Sequence, residues 1–294
     1  MMKKSTIILV FALGLSLVSG TSCTEWFIGG EETTPTSTPT SQITPTELQV
    51  HFIDVGQGDS ILIDLSEIEI LIDGGDRSPS VVSYLSNYVD GDLEVVVATH
   101  PHADHIGGLI EVLEEFTVLE IWVNGDPATS QTYSDFMDLV NAEGADVTEA
   151  RRGDTISVGG LELDVIHPVD PLFGNTNDNS IVLGLGYGDI DFLFTGDAEE
   201  GAEASMIAAG VLTDIDILKV GHHGSRTASS QAFLDIVQPE VAIYMAGTGN
   251  TYGHPHEETI TKLKTMGVEI YGTAINGTIV VTTAGVSYSV VTEK

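Results

Sequence analysis

Positive charge is what this chain has least of. Its 294 residues include 10 lysines and arginines against 44 aspartates and glutamates, a net charge of −34. Such a surface repels polyanions at long range and lacks the basic footprint of a protein that tracks long nucleic acid. It suits surroundings where salt screens self-repulsion. Cysteine is nearly absent as well. The single Cys23 excludes an intramolecular disulfide, and it excludes metal sites built from several thiolates. Any metal ion must therefore be held by nitrogen and oxygen. No apolar run reaches transmembrane length: Ile7–Val18 has 12 residues, against the roughly 20 a spanning helix needs. Hydrophobic residues still make up 42 % of the chain, an ordinary share that supports a sizeable core and sets it apart from disordered chains.

The first residues read as a targeting segment. Lys3 and Lys4 precede the apolar stretch, and the small residues Ser19 to Ser22 follow it, which is the pattern of a secretory signal peptide. Cys23 stands where a lipoprotein signal places its acylated cysteine, although Gly20 replaces the preferred Leu-like residue. Residues 1–23 are thus expected to direct export, with the mature protein extracellular or at the cell surface. Its only expected membrane contact is an N-terminal lipid or signal anchor. Residues 24–47, which include EETTPTSTPTSQITPT, have no apolar periodicity and read as an extended linker.

From Leu48 onward, short β-rich runs alternate with helical patterns. LQVHFIDVG, SILIDL and IEILIDGG are strand-like, as are LEVVVATH, VLEIWVNG, LELDVIHP, SIVLGLGYG, DIDFLFTGD, DIDILKVG and VAIYMAG. Helices are expected over Pro79–Asn87, Ile106–Phe116, Ser130–Glu143, Glu199–Ala209, Gln231–Val237 and Glu257–Met266. Further strands close the chain near residues 269–271, 278–283 and 286–290. The order predicts a layered α/β fold with a mixed sheet or two sheets. His51 and His167 fall in the strand patterns and read as core residues. Asp54 and Asp59, in DVGQGD, read as turn-forming aspartates.

Seven of the nine histidines fall in three short clusters, each in a Gly- or Pro-bounded loop after an apolar strand. The first is His-Pro-His-Ala-Asp-His at 100–105. Side chains two apart in an extended loop point the same way, so His100 and His102 can grip one ion. Asp104 and His105, at the turn into a helix, can face another. Imidazole and carboxylate suit zinc, manganese or iron. Asp197 ends the strand of FLFTGD and can bridge two ions, or else cap the following helix. LKVGHHGS offers a further ligand, with His222 preferred and His223 left to touch substrate, or the reverse. His254 and His256, in YGHPH, can protonate a leaving group or hold a phosphoryl oxygen. Asp73, after ILI, can orient a metal-bound histidine. Arg226 is one of the few basic residues placed to hold a phosphate.

Together, FIDVGQGDSILI, ILIDGG, ATHPHADHIGGL, NDNSIVL, FLFTGDAE, LKVGHHGS and YGHPH resemble the metallo-β-lactamase superfamily, and more closely the extracellular hydrolase domain of ComEC-type competence proteins. The resemblance runs in order across residues 52–256. It implies an αββα sandwich over residues 48–294 and two divalent ions, zinc or manganese. It places His100 and His102 on one ion, Asp104, His105 and His222 on the other, and Asp197 between. It also implies water activated between the ions. One departure matters: the histidine that many members supply to the first ion is missing. The corresponding stretch reads NTNDNS, so Asn177, Asp178 or Asn179 is expected to substitute. An oxygen donor there weakens the preference for zinc and makes manganese more plausible.

The function these signals predict is an exported two-metal hydrolase of phosphodiesters, with a small-molecule or oligonucleotide substrate and no stable protein partner. Asp104, His223 and His254 are its expected catalytic groups, with Asn179, Arg226 and His256 beside the substrate or the ligands. Two other readings stay open: hydrolysis of an amide or ester such as a β-lactam, and a surface-tethered metal-binding module without catalysis.

Overall fold

The computed structural model describes residues 46–78 and 80–294. The signal segment, Cys23 and all but the end of the 24–47 linker lie outside the described residues. Among the described residues, no helix is long and apolar enough to cross a membrane.

Two sheets form the body of the domain. The first has eight strands: β1 (Leu48–Phe52), β2 (Ile61–Asp64), β3 (Glu69–Ile72), β4 (Leu93–Ala98), β5 (Val118–Val123), β6 (Asp146–Glu149), β14 (Ile279–Thr283) and β15 (Tyr288–Thr292). Their order is β15-β14-β1-β2-β3-β4-β5-β6, parallel from β3 to β6 and antiparallel elsewhere. The second has seven: β7 (Thr155–Val158), β8 (Leu161–His167), β9 (Val182–Tyr187), β10 (Ile190–Phe194), β11 (Ile217–Lys219), β12 (Val241–Tyr244) and β13 (Glu269–Gly272), in the order β13-β12-β11-β10-β9-β8-β7. Here β10 to β13 run parallel.

The strand sequences show why the sheets stack. Successive side chains of a strand face opposite ways. In β4, Val95 and Val97 meet the opposing sheet, while Val96 and Ala98 meet helices. In β10, Phe192 and Phe194 point inward and Leu193 outward. Strands apolar on both faces need a cover on each side. That cover comes from α1 (Ser80–Leu85), α2 (Ala103–Glu115) and α3 (Gln131–Glu143) on the first sheet. On the second it comes from α4 (Glu200–Ala209), α5 (Gln231–Val237) and α6 (Glu257–Met266), with the short α7 (Thr273–Asn276) after β13. The result is an αββα sandwich.

Most helices begin and end within a residue or two of the sequence expectation. The exception is α2, which starts at Ala103 with His102 as its N-cap, so Asp104 and His105 lie in its first turn. Three elements were absent from the sequence reading. β6 is mostly exposed and polar, β7 alternates over only four residues, and α7 is a single turn.

His51 and His167 are fully buried. His51 Nδ1 lies 2.8 Å from the Tyr84 hydroxyl, and His167 Nε2 donates to the Asp178 carbonyl at 2.7 Å. Burial pushes both imidazoles down to about 4. The unfolded chain therefore binds more protons than the folded one between about pH 6.5 and 4. These two groups favour the native state above that window, and their contribution is lost as pH falls through it. NMR of the imidazole nitrogens should show both rings neutral at pH 5.5, with stability declining below pH 6. Titration of either ring near pH 6.5 contradicts this account.

Candidate metal centre

The histidine and aspartate loops meet at one edge of the sandwich, where parallel strands of both sheets end. Asp73 follows β3, His100 follows β4, Asp197 follows β10 and His222 follows β11. Backbone packs directly on backbone here. A Cβ at Gly58 would fall 1.9 Å from the Asp104 carbonyl oxygen, and one at Gly108 would fall 2.0 Å from that of Gly74. Only glycine lets the 56–59 loop and the start of α2 come so close.

Asp197 is 2 % exposed and sits at the centre. It caps no helix, since the N-cap of α4 is Glu199. On one side, His100 Nε2 and His102 Nδ1 converge to 3.0 Å, with His100 Nε2 3.8 Å from Asp197 Oδ2. On the other, His105 Nε2 is 3.3 Å from Asp197 Oδ1. His223 Nε2 lies 3.4 Å from Asp197 Oδ2 and 3.3 Å from Asp104 Oδ2. Two groups of ligand atoms therefore share one carboxylate: His100, His102 and Asp197, and Asp59, His105, Asp197 and His223.

His222 and His223 both have left-handed backbones, with φ of 46° and 55°. Such conformations are costly outside glycine and persist where the surroundings impose them. The bend carries both imidazoles to Asp197, His222 Nε2 standing 3.7 Å from Oδ2. His223 is the buried member and His222 is partly exposed. The geometry thus groups His223, rather than His222, with Asp104 and His105.

Three of these imidazoles, His105, His222 and His223, have a carboxylate behind them, an arrangement that fixes the ring and leaves the other nitrogen free for an ion. Asp73 accepts from His105 Nδ1 at 2.7 Å, and from the Thr99 amide and hydroxyl at 2.8 and 2.7 Å. Glu199 accepts from His222 Nδ1 at 2.7 Å. Asp59 Oδ1 is 3.2 Å from His223 Nδ1, which also lies 2.9 Å from the Met245 carbonyl. Asp59 is therefore no turn-forming residue, unlike Asp54, which accepts from the Gly56 amide. Its other oxygen pairs with the fully buried Lys219. Lys219 Nζ also donates to the carbonyls of Gly196 and Val220 at 3.3 and 3.0 Å. One ammonium thereby ties together the three loops that carry Asp59, Asp197 and the His222-His223 pair.

The NTNDNS stretch resolves into separate roles. Asp178 accepts from the amides of Glu199 and Ala202 at the start of α4. Asn179 is occupied by Phe173 and Asp126, so it braces the loop instead of facing the cleft. Asn177 alone lines the cleft, and its buried Oδ1 has no partner. Arg226 is turned out to the surface and paired with Glu258 at 3.4 Å. His256 Nδ1 accepts from the Arg226 amide at 3.0 Å. Neither reaches the cleft. His254 does, and lines it with Gln57 and Tyr252. Burial and the neighbouring His222 and His223 push His254 down to about 4. It is neutral at pH 7, and added cations lower it further.

The electrostatics demand positive charge. Burial opposes charge on every group here, yet at His105 it is outweighed by Asp197 and Asp73, which raise the imidazole well above its usual value. Burial at His223 is outweighed by the charge of Asp197 and by the nearby carboxylates of Asp104 and Asp59. Against its own burial, Asp197 is held well below the carboxylate range by His223 and His105. His100 moves the other way, lowered first by burial and then by the charge of His105. Among the described residues, the buried His105 Nε2, His223 Nε2 and Asp197 Oδ1 have no hydrogen-bond partner. These orphaned nitrogen and oxygen atoms around one carboxylate fit a divalent ion of the zinc or manganese type.

Residues 53–248 match the family model of the Metallo-beta-lactamase superfamily, and the chain belongs to that superfamily. Within it, the chain is homologous to ComEC-type competence proteins. It is 29 % identical over 253 residues to ComE operon protein 3 of Bacillus subtilis, covering 79 % of this chain and 33 % of the relative. It is 29 % identical over 242 residues to Recombination protein 2 of Haemophilus influenzae, covering 80 % and 29 %. The chain thus spans about a third of the length of these relatives. Among solved structures, YhfI from Bacillus subtilis shares the fold with a TM-score of 0.52 and 16 % identity, covering 77 % of this chain and 96 % of that one. Igni18, a metallo hydrolase from Ignicoccus hospitalis, has a TM-score of 0.53 and 19 % identity, covering 80 % and 98 %.

Removing one partner of a buried ion pair strands the other charge. Lys219→Met should therefore cost about 3–5 kcal/mol in urea unfolding of the metal-free protein. Replacing both Lys219 and Asp59 with apolar residues should cost less than Lys219→Met alone. A double variant at least as unstable as the single one contradicts the pairing.

Proposed function

We propose that this protein is an exported hydrolase of phosphodiesters that uses two divalent ions. The observation that carries the two-ion reading is the pair of ligand groups sharing Asp197. His100, His102 and Asp197 would hold the first ion, with the free Asn177 Oδ1 and His222 Nε2 beside it. His105, Asp197 and His223 would hold the second together with Asp104, whose Oδ2 lies 3.3 Å from His223 Nε2, since Asp59 is engaged by Lys219. Asp73, Asp59 and Glu199 then aim His105, His223 and His222. When bound, the ions supply Lewis-acid charge and lower the pKa of water at the site.

The cleft favours a phosphodiester for two reasons. Where many members place a third histidine, the NTNDNS stretch offers the oxygen of Asn177 to the cleft. Most residues lining the cleft also carry polar groups. His222 is held by Glu199 with its other nitrogen toward Asp197, which suits it to contact a phosphoryl oxygen if it does not bind metal. The neutral His254 can donate one hydrogen bond to the same group. The names of the relatives, competence and recombination proteins, agree with a nucleotide-containing substrate. Net charge favours a short one, because no basic track prolongs the contact with phosphates.

Purified protein with Mn²⁺ or Zn²⁺ should hydrolyse bis-p-nitrophenyl phosphate or short single-stranded DNA, lose that activity to a chelator, and leave nitrocefin intact. Asp73→Asn should lower activity or metal affinity about 10- to 100-fold. Nitrocefin turnover without phosphodiester turnover would favour amide hydrolysis instead, and no turnover with either metal rejects the proposal.

A further inference from the structure

A second cavity adjoins the metal cleft. The cleft encloses about 360 Å³ and its neighbour about 300 Å³, the small end of the range for small-molecule sites. Gln57, Ala103, Asp104 and Tyr252 form the wall common to both. Beyond that wall the second cavity is lined by Asp76, Asn250 and Thr251.

Tyr252 is the most exposed aromatic among the described residues, at 64 %. A lone exposed aromatic is ordinary on a surface, but this one stands at the junction of two cavities. Its ring lies nearly parallel to that of His254, with centroids 5.7 Å apart and 21° between planes. The turn that presents it is braced. Asn250 Nδ2 donates to the carbonyls of Gly247 and His254 at 3.0 and 2.6 Å, and its Oδ1 accepts from the His254 amide at 3.0 Å. Gln57 is oriented too: its Oε1 accepts from the Gly247 amide at 3.3 Å, and its buried Nε2 has no partner.

The chemistry of this second cavity is selective. Asp76 brings negative charge to it, and no lysine or arginine lines it. A further phosphate is repelled there. A neutral planar group gains a stacking surface on Tyr252, and hydrogen-bonding groups at Gln57 and Thr251. A nucleoside has that combination, and base–aromatic stacking tolerates any base.

We propose that the second cavity is a nucleoside subsite, where the base next to the scissile phosphodiester stacks on Tyr252. This rests on the phosphodiesterase reading above and adds the identity of the flanking group. Affinity then comes from one stacked nucleoside and the metal centre, not from a run of phosphates.

Two esters with the same leaving group isolate the effect: thymidine 5′-(p-nitrophenyl phosphate) and methyl p-nitrophenyl phosphate, assayed with Mn²⁺ and with Zn²⁺. The wild type should favour the nucleoside ester about tenfold or more in kcat/KM, mainly through KM. Tyr252→Ala should bring that ratio close to one, and Tyr252→Phe should preserve it. Because the readout is a ratio, partial loss of folded protein leaves it unchanged. A wild-type ratio near one, or a ratio that Tyr252→Ala does not alter, overturns the subsite and leaves phosphodiester hydrolysis standing. If neither ester is hydrolysed with either metal, the phosphodiesterase reading fails and the subsite falls with it.

Discussion

Asp197 is a buried carboxylate shared by two groups of imidazoles, and the domain's loops are arranged around its need for positive charge. An isolated ionised carboxylate in an apolar interior is too costly to persist. Here His105 and His223 approach it from the second ligand group, and His100 and His222 from the other side. Asp73, Asp59 and Glu199 stand behind His105, His223 and His222, while the Thr99 and Ser180 hydroxyls lie beside His100 Nδ1. Those carboxylates add negative charge in turn, and Lys219 balances only one of them. The surplus of carboxylates is what makes the centre a candidate cation site.

This arrangement depends on the two-sheet architecture. Asp73 and His100 come from the first sheet; Asp197, Lys219 and the His222-His223 pair come from the second. Neither sheet alone can assemble the site, so the packing of Val95, Val97, Phe192 and Phe194 between them sets the ligand separation. Close-packed interiors are stiff, and the glycine contacts at Gly58 and Gly108 extend that stiffness to the loops. The hydrogen bond from the Asp59 amide to the Asp104 carbonyl, at 3.2 Å, ties one ligand loop to the other.

Much of this was legible in the sequence because it is local. Spacing paired His100 with His102, and strand alternation placed Asp73, Asp197 and the histidine pair at strand ends. What lay beyond reach was long-range. His222 and His223 are neighbours, and only their left-handed backbones show that both reach Asp197. Asp59 looked like a turn former because its partners, Lys219 and His223, lie more than 150 residues away. A signal did exist: Lys219 interrupts the apolar run ILKV, and a lysine in a buried strand needs a buried partner. Asn177, Asp178 and Asn179 were indistinguishable by pattern. Their hydrogen bonds separate them, since Asp178 serves the start of α4, Asn179 serves Phe173 and Asp126, and Asn177 alone is left facing the cleft.

The extreme acidity of the chain and its cation-seeking centre are two sides of one selectivity. At 10 basic residues against 44 acidic ones, the long-range field discourages any polyanion, and salt only weakens that effect. At the cleft the sign would be set locally, because cations bound there would be the largest charges within reach. Within the proposed function, a substrate would be accepted by what it presents within a few ångströms: one phosphoryl group at the ions and one neutral group at the wall formed by Gln57 and Tyr252. On the same reading, further phosphates of a longer chain would meet Asp76 and the acidic surface. Within the proposed chemistry, the same surplus of carboxylates that builds the metal centre also confines its substrates to short ones.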